Sequence, residues 1–148
     1  MTQEGPDAQA WTVRDAREAT DARHGLATWL TAVDLPAEKI DELLVAVSEL
    51  VVNGVEAGLA IGRVWVKVEA VCGADGVVVR VRNQGASYHP IAGPPYRMPP
   101  GDSLRGRGLV IVSELTASFE IEGQIGGTEA RVTPTASSAD IEGRGQGT

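Results

Sequence analysis

Ala46–Gly58, AVSELVVNGVEAG, decides the reading of this chain. Val47, Leu50 and Val51, with Ile40, Leu43 and Leu44 just upstream, recur at the spacing of one buried helical stripe. Glu49 and Asn53 stand four apart on the other side, with Glu42, Ala46 and Glu56, because positions i and i+4 stack on one helix face. A lone Glu there reads as a solvated helix residue. A lone Asn, a mediocre helix former, reads as a polar surface position or a fraying end. The pair on one face asks for more: a carboxylate and an amide oxygen held side by side. Gly106 and Gly108 in GRGLVIV (Gly106–Val112) then open a second apolar helix. Bare backbone at a helix start approaches a phosphate closely, and its unpaired N–H groups attract anions. Together these features suggest a metal–nucleotide site.

Working outward, the central helix is predicted from about Ala37 to Glu56, with Gly58 and Gly62 ending it. Pro36 is well placed at its start, with Asp34 or a neighbour as cap. Upstream, Ala19, Ala22, Leu26, Trp29, Leu30 and Val33 predict a helix over Arg14–Val33, preceded by a short edge strand at Trp11–Val13. Downstream, Val64, Val66 and Val68 alternate with polar or aromatic neighbours, as do Val77, Val79 and Val81. Gly73-Ala74-Asp75-Gly76 between these two strands reads as a hairpin turn. A further helix is expected over Leu109–Thr116, then strands at Ser118–Glu122 and Thr128–Thr133 joined at Gly126-Gly127. Strands in antiparallel pairs, not alternating singly with helices, predict an α/β two-layer sandwich. Its helices would pack on one face of a mixed, mostly antiparallel sheet.

Five of the eight prolines fall between Asn83 and Arg107, so residues of about 84–105 read as a lid, since loops of that length inside a domain are usually functional or disordered. The expected organisation is a flexible arm over 1–10, one domain over 11–134 and a disordered tail over 135–148. Within that tail, Ile141-Glu142-Gly143-Arg144 resembles a protease-cleavage linker, and a native tail is the equal alternative.

A length of 148 residues favours one domain with a real core. The formal charge of -7 argues against nucleic-acid binding, which needs clustered Lys and Arg. It leaves ATP open, because a metal and local N–H groups can meet that ligand's charge. Cys72 is the only cysteine, which excludes an internal disulfide and a cysteine zinc site. A reducing cytoplasm is the expected compartment. The start, MTQEGPDAQA, is polar, and no apolar run is expected to span a membrane.

A carboxylate such as Glu49 beside a terminal phosphate can take the proton of an attacking hydroxyl, typically worth about 10²–10⁴ in rate. Mg²⁺ keeps several waters and takes one or two protein oxygens, so a single Asn53 suffices as its ligand. Arg105 and Arg107, flanking the late glycines, are placed to steady a transferred phosphoryl group; solvated, mobile side chains are the plain alternative. Gly106-Arg107-Gly108 alone is an ordinary tight turn as often as a phosphate loop, and neither a dinucleotide fingerprint nor a Walker A sequence is present. His24 and His89 lack metal-ligand spacing and read as structural or surface residues.

With these pieces in order, the chain resembles the GHKL superfamily of ATP-binding domains, the Bergerat fold. Within it the resemblance is greatest to the bacterial anti-sigma-factor serine/threonine kinases, over roughly Ala22 to Val132. SELVVNGVEAG resembles the family's N-box, VRNQG (Val81–Gly85) lies where the family has its adenine-binding Asp-x-Gly, GRGLVIV resembles its glycine-rich box, and Gly126-Gly127-Thr128 its closing Gly-Thr. The resemblance implies Glu49 as catalytic base, assisted by Arg105 and Arg107, and Asn53 as the Mg²⁺ ligand. It implies nucleotide contacts at Asn53, Asn83, Gly85, Gly106, Gly108, Leu109 and Thr128. The implied activity is phosphorylation by Mg-ATP of a Ser or Thr on a STAS-type anti-anti-sigma partner, by a protein that otherwise holds a sigma factor. Relatives often pair as homodimers. No direct nucleic-acid or membrane contact is expected.

Two departures bear on activity. Asn83 stands where the family has Asp, which exchanges a charge-assisted bond to adenine for a neutral one at a cost of about 1 kcal/mol. Weak ATP binding with relaxed base choice is the expectation. Ala57 stands where many relatives carry His. These departures support an alternative, a non-catalytic switch that only sequesters a partner; Glu49 and Asn53 count against it. A detached histidine-kinase catalytic domain is the weaker third reading, since no phosphoacceptor helix is legible.

Overall fold

The computed structural model describes residues 8–74, 76–84, 107–124 and 127–135. Five strands, β1 (Ala8–Val13), β2 (Val66–Gly73), β3 (Gly76–Gln84), β4 (Thr116–Gln124) and β5 (Gly127–Pro134), form one sheet in the order β1-β2-β3-β5-β4. Helices α1 (Ala16–Ala32), α2 (Ala37–Ala60) and α3 (Arg107–Leu115) cover one side of it. This is the expected α/β sandwich. The sheet expected to be mixed is antiparallel at every described pairing. Two hairpins, β2–β3 and β4–β5, supply half of those pairings.

Alternation along the strands builds the core. Val66, Val68 and Ala70 of β2, Val77, Val79 and Val81 of β3, and Ala130 and Val132 of β5 are all buried. They meet Leu26 and Leu30 of α1 and Leu43, Val47 and Leu50 of α2. Each fully buried Val or Leu contributes about 1.5–3 kcal/mol relative to exposure. The intervening residues form a charge lattice on the sheet's outer side. Arg82 lies between Glu69 and Glu129, and Arg131 between Glu120, Glu122 and Glu129.

Local chemistry sets the helix ends. Asp15 caps α1 by accepting the Glu18 N–H at 2.8 Å, and the Glu18 carboxylate accepts the Arg14 N–H and guanidinium in return. At the other end Leu35 N–H bonds Leu30 C=O and Asp34 N–H bonds Thr31 C=O, the Schellman pattern. Asp34 sits there at φ 64, a left-handed position usually given to glycine. Asp34 therefore ends α1 and does not cap α2, whose N-cap, Pro36, has no side-chain hydrogen bond.

Helix α2 runs past the expected stop at Gly58 to Ala60. A second Schellman turn closes it, with Arg63 N–H on Gly58 C=O and Gly62 at φ 73. The returning chain lies on Gly58: a Cβ there would collide with the Arg63 carbonyl oxygen. Strand β1 also begins earlier than Trp11, at Ala8, because Ala8 to Ala10 pair with Glu69 to Val71. By length and apolar composition α2 passes for a membrane span, contrary to the sequence expectation. Nine of its residues are buried in the fold, which marks it as a core helix.

Candidate functional site

Glu49 lies on the shoulder of α2 that faces α3, Asn53 follows one turn on along the same helix, and both are half-buried. A Cβ added to Gly108, in the first turn of α3, would lie 2.7 Å from Glu49 Oε2. Glycine there lets the α3 backbone close onto the carboxylate. The unpaired N–H groups and positive dipole end of α3 favour negative charge at this point. Neither Glu49 nor Asn53 has a hydrogen-bond partner among the described residues, so both side chains are free to take a ligand or its metal.

The sheet adds the next wall. Asn83 ends the inward row of β3 and pairs across the ladder with Thr128 of β5, which is 4% exposed. Gly54, directly after Asn53, brings α2 down onto this corner: a Cβ there would stand 3.1 Å from Asn83 Cβ and 2.9 Å from Val66 Cγ2. Gly127 is fixed by the same closeness, since a Cβ there would collide with the Asn83 carbonyl oxygen. The amide of Asn83 is oriented. Its Nδ2 donates to the Gln84 carbonyl at 3.2 Å, so the Oδ1 acceptor is on the other side. The amide keeps its second N–H and its Oδ1 acceptor for a ligand.

Glu49, Asn53, Gly108, Asn83 and Thr128 thus come from α2, α3, β3 and β5 to one side of the molecule. The Leu109 side chain is 3% exposed and packs in the core. Gly85, Arg105 and Gly106, with His89, Gly126 and the expected lid, lie outside the described residues, as does the Arg107 side chain. His24 is an exposed residue of α1, and Ala57 is half-buried on α2. Gly54 was not legible as a site residue. Its signal was a glycine in mid-helix, which usually marks close approach of another element.

The donor set fits a magnesium nucleotide. Among the described residues no group of three His, Cys, Asp or Glu is placed to cage a metal. A single amide oxygen beside a helix N-terminus suits an ion whose remaining ligands are phosphate and water. Asn53 would hold that ion, and the α3 backbone would face the phosphates.

The fold and this corner define a class. A family model for the histidine kinase-like ATPase domain matches residues 12–134, and the chain belongs to that family. Among solved structures, it is similar to the RsbU and RsbW domains of Rv1364c from Mycobacterium tuberculosis. The two are 21% identical with a TM-score of 0.60, over 87% of this chain and 35% of that one. The likeness is one of fold, and this chain spans about a third of that longer protein. No curated protein matches the sequence.

Proposed function

We propose that this protein is an anti-sigma regulatory factor that binds Mg-ATP and phosphorylates a Ser or Thr of a STAS-type partner in the cytoplasm. The observation that carries the reading is the Glu49 carboxylate set against Gly108 at the start of α3, one turn before Asn53 on the same helix. The family is one of ATPases, and the fold is shared with a protein that contains an RsbW domain.

In this reading Asn83 Oδ1 accepts the adenine amino group and the Thr128 hydroxyl supports the base beside it. The N–H groups of the first turn of α3, with Gly106, bind the phosphate oxygens. Asn53 orients Mg²⁺, which neutralises charge on the phosphates when bound. Glu49 accepts the proton of the attacking hydroxyl, and Arg105 or Arg107 steadies the transferred group. Most of the acceleration comes from positioning and electrostatics. Partner choice follows from the phosphorylation: the unmodified STAS protein is a substrate, and the sigma factor is the alternative occupant.

The decisive comparison is Glu49→Ala. It is expected to keep ATP affinity within about threefold and to lower phosphate transfer to a STAS partner by about 10²-fold or more. An unchanged transfer rate contradicts the base assignment. ATP binding by the wild-type protein without any transfer supports the sequestering switch instead, which the substitution at Asn83 favours.

A further inference from the structure

The crest of α2, the side turned away from the sheet, carries a row of uncovered apolar residues. Val45 is 40% exposed, Val52 50% and Leu59 66%, and Ile61 at the C-cap is 52% exposed. Single exposed hydrophobes are ordinary on a protein surface. Here three stand seven residues apart, a step that returns almost to the same helix face. From Val45 to Leu59 the row runs for about 21 Å at 1.5 Å per residue. A surface helix ordinarily sets polar residues opposite its core stripe. Val45, Val52 and Leu59 take no part in the core, so the fold does not account for them.

The charges along the crest have one sign. Glu38, Asp41 and Glu56 are exposed, and none makes an ion pair among the described residues. Lys39, the one basic residue of α2, is engaged by Glu42 at 3.2 Å, and its side chain is 14% exposed. Every exposed residue of α2 is therefore apolar or acidic. On the α1 flank Arg23 Nη1 donates to Ser48 Oγ at 3.1 Å. On the α3 flank stands the half-buried Glu49.

We propose that the α2 crest docks a protein partner through a basic amphipathic helix. The partner's apolar row lies on Val45, Val52 and Leu59, and its Lys or Arg side chains meet Glu38, Asp41 and Glu56. Helices pair along apolar seams of this spacing, and the charges beside the seam set partner choice. Charge selects this occupant over a second copy of the chain. An isologous contact centred on the crest sets the acids of one copy against those of the other. The formal charge of -7 on each copy adds to that repulsion. A seated helix lies beside Glu49, but the inference does not rest on that residue's role in phosphate transfer.

The probe is a designed three-heptad helical peptide with leucine at a and d and lysine at e and g, beside a twin with glutamate at e and g. Calorimetric titration of the full chain, without nucleotide and at about 0.15 M salt, measures binding of each. Saturable binding of the lysine peptide to one site is expected, with the glutamate twin about tenfold weaker. Val52→Asp should weaken the lysine peptide about tenfold, by removing a buried apolar contact. Val45→Asp replaces it should that variant not fold. Glu56→Lys should weaken the lysine peptide several-fold. Glu122→Lys, an equal change of charge on β4, should leave it unchanged. Absence of saturable binding at millimolar peptide overturns the proposal. So does binding that Val52→Asp leaves unchanged, or that Glu122→Lys weakens as much as Glu56→Lys, the mark of bulk charge attraction. A wild-type dimer that Val52→Asp dissociates in sedimentation makes a second copy the occupant, and overturns it as well.

Discussion

At the scale of single residues, the site depends on how three side chains are presented. Glu49 and Asn53 are legible as a pair because helical spacing alone puts them together. Their orientation toward α3 is not, since it depends on the approach of Gly108, a contact 59 positions along the chain from Glu49. Asn83 is the instructive case. Its identity suggests tolerance of either purine. Its bond to the Gln84 carbonyl uses one N–H of the amide and leaves the other, with the Oδ1 acceptor, for a base. Weak binding of both ATP and GTP is therefore expected of the wild-type protein. Asn83→Asp should tighten ATP several-fold, about 1 kcal/mol, by making the acceptor charged, with GTP unimproved. Competition titrations of the two nucleotides measure this. Tight, adenine-exclusive binding by the wild-type protein, or an Asp variant that gains nothing for ATP, would contradict this role of Asn83.

At the scale of elements, the helices end where backbone geometry ends them, and that explains the errors of the sequence reading. Gly58 looks like a stop, yet it lies inside α2, because the helix is closed by the left-handed Gly62 and the chain folds back over Gly58. The strands were legible from alternation, whereas Ala8 to Ala10 carried no strand signal and are strand only through pairing with β2. Gly58→Ala separates propensity from packing. Alanine gains about 1 kcal/mol in helix propensity, but its Cβ would press on a backbone carbonyl that cannot move aside. The variant should be less stable by about 2 kcal/mol in chemical denaturation, and a stabilised variant would contradict the contact. The start of α1 makes a pH prediction. The Arg14 guanidinium, hydrogen-bonded to Glu18, holds that carboxyl below its usual range. A depressed folded-state pKa gives stability that is present above the unfolded value and lost as pH falls through the folded one. Glu18→Gln should therefore flatten the acid limb of the stability profile below about pH 4.5. An acid limb identical to that of the wild-type protein would show the pair to be inert.

At the scale of the whole molecule, the two sides of the sheet are assigned different tasks. The inner side buries valines under three helices, and the outer side carries a lattice of alternating Arg and Glu. Both follow from period-two alternation, which is why the fold class was legible while the all-antiparallel pairing, a matter of strand order, was not. Helix α2 serves as the partition. One shoulder presents Glu49 to α3, and the other packs against α1. The account's central claim is that the first shoulder grips a magnesium nucleotide. The most direct measurement is calorimetric titration of the purified protein with ATP, with and without Mg²⁺, beside Asn53→Ala. The account predicts one saturable site that requires Mg²⁺ and is weakened at least tenfold by Asn53→Ala. Absence of ATP binding, or binding indifferent to both the metal and Asn53, would contradict it.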